Sequence, residues 1–116
     1  MDGHIAYNEP GSPLDGPCHT VWLQETSIES SLDYGFQNRN DVPRQGMTMG
    51  IGTIMKARQL LMIAKGKKKA HLVKRMLEDQ VSSAFPATII QKHPNAIVVL
   101  DREAACELGG EINERN

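Results

Sequence analysis

Two continuous apolar runs, Leu60–Ala64 and Ala96–Leu100, restrict the fold of this chain more than any other feature. Each run lies between polar or glycine-containing segments and has no polar residue to mark a side that faces solvent. Such runs are typical of strands that are covered on both faces in a parallel sheet, whereas a strand with one solvated face alternates apolar and polar residues. The two runs therefore predict buried parallel strands.

Helical patterns separate and follow these strands, which predicts an α/β fold built on a parallel sheet. Residues 69–78 place Ala70, Val73, Met76 and Leu77 at helical spacing, so one stripe of this helix can pack on the sheet. Five shorter elements are predicted: an edge strand at 19–23, a strand at 47–49, a helix at 53–58 capped by Thr53, a helix at 86–91 beginning with Pro86, and a last helix capped by Asp101 and ended by Gly109 and Gly110. Residues 10–20 are predicted as an irregular loop, and the methionines at 47, 49, 55, 62 and 76 as core filling.

Composition limits the class of protein. The chain has 116 residues, 40% apolar and 23% charged, as expected for one small globular domain. A net charge of −1 favours neither nucleic acid nor an anionic membrane as a partner. No apolar run approaches the roughly 20 residues that span a bilayer, and no export signal is recognised. Cys18 and Cys106 are far apart in the sequence and are predicted to be reduced thiols, so we expect a cytoplasmic protein.

The first nine residues place a histidine, His4, between two carboxylates, Asp2 and Glu9. Residues two apart in an extended segment point to the same side, so Asp2 and His4 can meet directly. The turn at residues 8–11 can fold Glu9 back towards the same imidazole. The segment therefore predicts a proton relay, and the alternative is a polar terminal tail with one solvated histidine.

The basic turn Lys65-Gly66-Lys67-Lys68-Lys69 lies between a predicted strand and a predicted helix. Ammonium groups beside the free N–H donors of a helix N-terminus favour an anion, although a solvated basic turn is the alternative. Ligands of open parallel sheets collect at the carboxyl ends of the strands, where this turn should lie. Nucleotide fingerprints are absent, because Met55 replaces the third glycine after Gly50 and Gly52, and the Gly66-Lys67 pair lacks the rest of a P-loop.

Several longer motifs extend along the chain. They are Asp-Gly-His-Ile-Ala-Tyr-Asn-Glu-Pro-Gly-Ser at 2–12, Val-Pro at 42–43, Met-Thr-Met-Gly-Ile-Gly-Thr-Ile-Met at 47–55, Gly-Lys-Lys-Lys-Ala at 66–70, and His-Pro-Asn at 93–95 followed by Val-Val-Leu-Asp at 98–101. Together they resemble the glucosamine-6-phosphate deaminases, also called glucosamine-6-phosphate isomerases. The resemblance implies that residues 1–108 form the C-terminal half of a Rossmann-like, three-layer α/β domain, with a polar tail at 109–116.

The resemblance also implies a reaction and a set of site residues. The family converts glucosamine 6-phosphate and water to fructose 6-phosphate and ammonium, in amino-sugar catabolism, with no redox cofactor or metal. By the same resemblance, His4 is the acid and base that opens the sugar ring, Asp2 and Glu9 orient it, and Lys69 binds the substrate phosphate. The other histidines, His19, His71 and His93, are given no catalytic role.

Three departures from the family pattern predict that the chain alone is impaired. The first half of the family domain, which supplies a phosphate loop and a catalytic aspartate, has no counterpart here. Leu32 and Asp33 occupy positions where relatives carry a phosphate-binding arginine, and the basic residues of an allosteric site are replaced around His19 and Val21. The expected partners are an amino-sugar phosphate and an N-terminal half chain or a homo-oligomer. The alternatives are a non-catalytic fragment that binds sugar phosphates or a partner, and a structural fragment with an exposed sheet edge.

Overall fold

The structure, a computed structural model, describes residues 3–110 of the chain. Its strands and α-helices are β1 (His19–Trp22), α1 (Glu25–Ser31), β2 (Gln45–Thr48), α2 (Ile51–Met55), β3 (Leu60–Ala64), α3 (Ala70–Glu78) and β4 (Ala96–Leu100). Short 3₁₀ helices cover Leu32–Tyr34, Arg39–Asp41, Lys67–Lys69 and Pro86–Lys92. Within residues 3–110, no helix is long and apolar enough to cross a membrane.

The two apolar runs form the predicted parallel strands. β3 pairs with β4 in parallel, with Leu60 opposite Ala96 and Ala64 opposite Leu100. β1 is a strand, as predicted, and it pairs with β2 in a separate antiparallel sheet. The prediction of an α/β fold with parallel strands is therefore confirmed.

The core lies on one face of the β3–β4 pair. Side chains of α3 and of the 3₁₀ helix Pro86–Lys92 pack there against alternate strand residues. The buried members of this cluster are Met76, Phe85, Ala87 and Ile90, and the half-buried ones include Leu60, Met62, Ala96 and Val98. The predicted apolar stripe of residues 69–78 is confirmed, because Ala70, Val73 and Met76 are the buried residues of α3.

The opposite face of the same strands is exposed, and here the prediction of strands covered on both faces is wrong for residues 3–110. Its four apolar side chains are Leu61, Ile63, Ile97 and Val99, with exposed fractions of 62%, 66%, 45% and 49%. The reason is that α3 and the 3₁₀ helix both pack on the inner face. We call these four residues the outer face.

Three other predictions need correction. α2 begins after Gly50 and ends at Met55, so Thr53 lies inside the helix and does not cap it. The segment after Asp101 forms successive turns and not a helix, because its later bonds, such as Leu108 N–H to Ala105 O, span three residues. Met47 and Met49 are 72% and 53% exposed, so they do not fill the core.

His93 has a structural role, in agreement with the sequence analysis. Its ring is buried, its Nδ1 accepts a hydrogen bond from the Asn95 N–H at 3.0 Å, and its Nε2 lies 2.8 Å from Ala57 O. Because Nδ1 accepts, the ring proton is on Nε2 and is donated to the Ala57 carbonyl. His93 thereby joins the start of β4 to the turn before β3.

The glycines of the Met-Gly-Ile-Gly-Thr motif serve packing. A Cβ atom at Gly50 would lie 2.0 Å from Pro17 O, and one at Gly52 would lie 2.3 Å from Asp15 O. The Gly52 N–H also donates to Gly16 O at 3.0 Å. The start of α2 therefore lies directly on the loop that precedes β1, which explains the spacing of the two glycines without a bound nucleotide.

We expect Gly50→Ala to lower the free energy of unfolding by about 1–3 kcal/mol, as overpacking commonly does. The added methyl group would overlap the backbone of residues 16 and 17, which cannot move aside as a flexible side chain can. Urea unfolding followed by circular dichroism would measure the change. Gly110→Ala is the matched control, since its Cβ would have no neighbour within 4 Å. Equal stability of the two variants would contradict this account of the close contact.

Candidate active site

His4 and Lys69, which are remote in the sequence, line one open cavity of about 410 Å³. The cavity lies at the carboxyl end of β3, and its walls include Ala64, Lys65 and Phe85. The predicted position of the basic turn at this end of the strand is therefore confirmed. Lys65, the first residue of the predicted basic turn, is a second cation on the cavity wall.

The main chain before His4 is held against the core. The Ala87 N–H donates to Gly3 O at 2.9 Å, which joins the N-terminal segment to the start of the 3₁₀ helix Pro86–Lys92. Gly3 has a φ of +75°, and a Cβ atom at this position would lie 2.4 Å from the Phe85 ring. Only glycine suits both the backbone angle and the contact. The exposed His4 side chain follows directly and is placed at the cavity by this anchor.

A tight turn after His4 connects the same segment to β2. Ile5 and Asn8 exchange backbone hydrogen bonds of 3.2 and 2.8 Å, and Ala6 has a φ of 52°. The Asn8 side chain is fully buried and donates from Nδ2 to Ile5 O at 2.9 Å and to Met49 O at 2.7 Å. Asn8 thus secures both the turn and its attachment to the residue after β2.

The predicted relay is placed only in part. Asp2 lies outside the described residues, so its approach to His4 stays a prediction. Glu9 is buried, and its Oε1 accepts a hydrogen bond from Ser27 Oγ of α1 at 2.8 Å. Sequence spacing gave no signal for Ser27, because the contact joins residues from separate elements. Whether Glu9 also orients His4 stays a prediction.

Lys69 ends the 3₁₀ helix Lys67–Lys69 directly before α3. Gly66 opens this turn with a φ of +87°, and its carbonyl accepts a hydrogen bond from the Lys69 N–H at 3.0 Å. The left-handed conformation of Gly66 reverses the chain between β3 and α3, which brings Lys69 back to the cavity. The positive φ at this position favours glycine at the end of β3.

Asp101, at the end of β4, holds the basic turn in place. Its carboxylate accepts a hydrogen bond of 2.7 Å from the Ala104 N–H and contacts of 3.0 Å to both oxygens from the Gly66 N–H. These bonds, that of Ala104 first and that of Gly66 second, keep the pKa of the Asp101 carboxyl below its ordinary value of 3.8. The sequence analysis predicted Asp101 as a cap for the following residues but missed its bond to Gly66.

The candidate site has no metal-binding cluster in the part of the chain that the structure describes. No group of three or more His, Cys, Asp or Glu side chains within residues 3–110 could hold an ion. Cys18 and Cys106 are free, exposed thiols. The ionisable side chains that line the cavity are those of His4, Lys65 and Lys69.

Asp101→Asn should weaken the folded state at neutral pH and flatten its loss of stability in acid. A carboxyl whose folded pKa lies below its unfolded pKa contributes stability that is present above the ordinary value of 3.8 and is lost as the pH falls through the folded value. Urea unfolding from about pH 7 down to about pH 3 would show this dependence. Glu103→Gln, which changes an exposed carboxylate of the same turns, should leave the pH dependence of stability unchanged. If the free energy of unfolding depended on pH in the same way for Asp101→Asn and for the unaltered chain, the Asp101 carboxylate would not hold the basic turn.

Comparison with known proteins places the fold in one family. The family model for glucosamine-6-phosphate isomerases and 6-phosphogluconolactonase matches residues 15–99. The chain is 48% identical over 103 residues to glucosamine-6-phosphate deaminases of Bacillus thuringiensis (strain Al Hakam) and Bacillus cereus (strain AH820), covering 89% of the chain but 39% of each relative.

Solved structures agree with this result. A monomeric glucosamine-6-phosphate deaminase superposes with a TM-score of 0.83 and 38% identity, over 90% of this chain and 43% of that one. The 6-phosphogluconolactonase from Trypanosoma brucei superposes with a TM-score of 0.63 and 25% identity, over 93% of this chain and 39% of that one. The chain spans less than half the length of these relatives. Because the family model matches most of its residues, the chain belongs to the family of glucosamine-6-phosphate isomerases and 6-phosphogluconolactonases.

Proposed function

We propose that the chain supplies part of a glucosamine-6-phosphate deaminase site, in which His4 acts on the sugar and Lys69 binds the phosphate. The observation that carries this proposal is that the two side chains line one cavity at the carboxyl end of β3. Its volume of about 410 Å³ is within the range of small-molecule sites. The identity of 48% to deaminases of the Bacillus species supports this reaction over that of the lactonases.

The phosphate end of the site is cationic. Lys69 directly precedes α3 and brings its positive charge to this end of the cavity. The N–H groups of Lys69 and Ala70 are already bonded to Gly66 O and Lys67 O, so the cationic side chains carry the proposed attraction for an anion. Lys65 lines the same cavity and adds a second positive charge. A phosphate ester bound there is anchored by charge-assisted hydrogen bonds, which are stronger than neutral ones. The Asp101 clamp on Gly66 fixes the turn before the ligand arrives, so little order has to be gained on binding.

The sugar end of the site needs a group that both gives and takes a proton. In the proposed reaction, His4 gives a proton to the ring oxygen and takes one from the C1 hydroxyl, which opens the hexose ring. Isomerisation between C1 and C2 followed by addition of water then yields fructose 6-phosphate and ammonium. Asp2 and Glu9 are proposed to orient the imidazole, as a carboxylate commonly orients a catalytic histidine. The buried Glu9 is itself oriented by Ser27.

The remaining part of a complete site is proposed to lie outside this chain. The chain covers 39% of the Bacillus relatives, so a base for the proton transfer between C1 and C2 and further phosphate contacts would come from residues without a counterpart here. The solved deaminase is monomeric, and we propose that the present chain likewise needs the rest of one family domain and no symmetric partner. The cytoplasm is the proposed compartment, with which the free thiols of Cys18 and Cys106 are compatible.

A second candidate is a fragment that binds sugar phosphates without turnover. The observation that favours it is the pair Leu32 and Asp33, which stand where the resemblance expects a phosphate-binding arginine. Both lie in the 3₁₀ helix that follows α1, and the Asp33 side chain is exposed. A carboxylate at this position would repel a phosphate rather than bind it. Binding with no ammonium release, even with a complementary family segment, would identify this function.

Lys69→Ala should weaken the binding of fructose 6-phosphate by about 1–3 kcal/mol, as for the loss of a hydrogen bond to a charged group. Isothermal titration calorimetry on residues 1–116 would measure the change. Lys68→Ala is the matched control, because Lys68 is the exposed neighbour of Lys69 and does not line the cavity. Equal affinities of the two variants would show that Lys69 does not bind the phosphate.

The isolated chain should release ammonium from glucosamine 6-phosphate at a rate at least about 10²-fold below that of an ordinary enzyme, because a missing general base commonly costs 10²- to 10⁴-fold. A coupled ammonium assay would measure the rate, and His4→Gln would supply the background. Turnover by the chain alone at about 1–10³ per second would overturn the expectation that it lacks an essential group.

A further inference from the structure

The Phe85 ring lies against the backbone that carries His4. A Cβ atom at Gly3 would lie 2.4, 2.5 and 2.6 Å from Cζ, Cε2 and Cδ2, three consecutive atoms of the ring. Three nearly equal distances to consecutive ring atoms place Gly3 above the plane of the ring and not beside its edge. Phe85 is 3% exposed and belongs to the wall of the cavity. One face of the ring is therefore covered by the residue directly before His4.

Arg75 of α3 covers the other face of the ring. Its guanidinium carbon, Cζ, lies 4.2 Å from the ring centroid, within the range of a cation–π contact. A guanidinium at this distance on the side of Gly3 would overlap the glycine backbone, so the two groups lie on opposite sides of the ring. Arg75, Phe85 and Gly3 thus form one stack that leads from α3 to the segment of His4.

Hydrogen bonds fix the base of this stack. Arg75 Nε donates to Asp79 Oδ2 at 2.9 Å, about one helical turn later. The planar guanidinium donates in its own plane while its face stays on the ring, which an ammonium group does not reproduce. Gln91 Nε2 donates to Met76 O at 2.9 Å and to Asp79 O at 2.8 Å, so the end of α3 is joined to the 3₁₀ helix that follows Phe85. The cation and the ring are therefore held together by their surroundings.

Gly3 has no side chain of its own to hold it, so the position of the next residue depends on the groups around the glycine. The Ala87 N–H fixes the Gly3 carbonyl, and the ring limits the movement of the Gly3 Cα. With both faces occupied, the Phe85 ring has only its edge left for the cavity and cannot act as a stacking platform for a sugar. Its use at the cavity is to support the backbone before His4.

We propose that Arg75 is a positioning residue for His4, which it orients through Phe85 and Gly3. The inference rests on the proposed role of His4 in opening the sugar ring. α3 begins directly after Lys69 and carries Arg75 on its second turn. One helix therefore sets both the phosphate end and the sugar end of the cavity.

The test compares Arg75→Gln with Lys74→Gln in residues 1–116. Lys74 is the matched control, because it precedes Arg75 on α3, is similarly exposed at 42% against 41%, and has its own ion pair of 2.9 Å with a carboxylate four residues later. Loss of a helix ion pair is common to both variants, whereas loss of the cation over the ring is confined to Arg75→Gln. Since both side chains are partly exposed, circular dichroism of each variant should match that of the unaltered chain.

Two NMR signals report the stack without a ligand. The face of an aromatic ring shifts a proton above it upfield, so a Gly3 Hα resonance should lie upfield of those of the other glycines and should move back in Arg75→Gln alone. Exchange of the Ala87 amide should quicken about two- to thirtyfold in the same variant, the range for loss of a cation–π contact. Arg75→Lys should fall between Arg75→Gln and the unaltered chain, because it keeps a positive charge near the ring.

A third signal concerns the site itself. Fructose 6-phosphate should shift the His4 imidazole resonances of the unaltered chain, and this shift should be smaller in Arg75→Gln, although calorimetry should give the same affinity as for Lys74→Gln. A merely structural role of Arg75 would not separate the two readouts. An Arg75→Gln chain with unchanged Gly3, Ala87 and His4 signals, or equal changes in Lys74→Gln, would overturn the inference while the proposed function stands. A His4 that fructose 6-phosphate leaves unperturbed in the unaltered chain would instead overturn the proposed role of His4, and the inference with it.

Discussion

β3 and β4 pair in parallel, and this pairing sets the position of each element that surrounds the cavity. The inner face of the pair supports α3 and the 3₁₀ helix Pro86–Lys92, whose start in turn holds the backbone of Gly3. The carboxyl ends of the two strands bring Gly66 and Asp101 together, and their hydrogen bonds lock the basic turn. A change in register would move the imidazole and the ammonium group relative to each other, because each is attached to this frame by backbone contacts.

The attachments at the two ends of the cavity differ in kind. His4 stands on a short segment that the Ala87 N–H and the Asn8 side chain fasten to separate elements. Lys69 stands on a turn that the Asp101 carboxylate holds through the Gly66 N–H. Backbone hydrogen bonds therefore position both functional residues. Such anchoring is what a preorganised site requires, because the entropy lost in ordering the backbone is lost during folding and not on binding.

Local sequence patterns were sufficient to predict β3, β4 and α3, because a five-residue apolar run indicates a strand and an apolar stripe at helical spacing indicates a helix. The start of α2 was misplaced because Gly50 is fixed by a close contact with the loop at Pro17, which no local preference reveals. The bonds from Ser27 to Glu9 and from Gly66 to Asp101 join residues 18 and 35 positions apart, so spacing could not indicate them. The exposed outer face was missed for a related reason: an apolar run indicates that a strand is buried but does not show which element covers each face, and within residues 3–110 α3 and the 3₁₀ helix Pro86–Lys92 both pack on the inner face.

Ile63 connects the outer face to the cavity. It is 66% exposed on the outer face, and it also contributes to the wall of the cavity that His4 and Lys69 share. The cavity therefore extends to the outer face at Ile63. Exclusion of water there would strengthen the attraction between a bound phosphate and Lys69, because charges interact more strongly in a medium of lower dielectric constant.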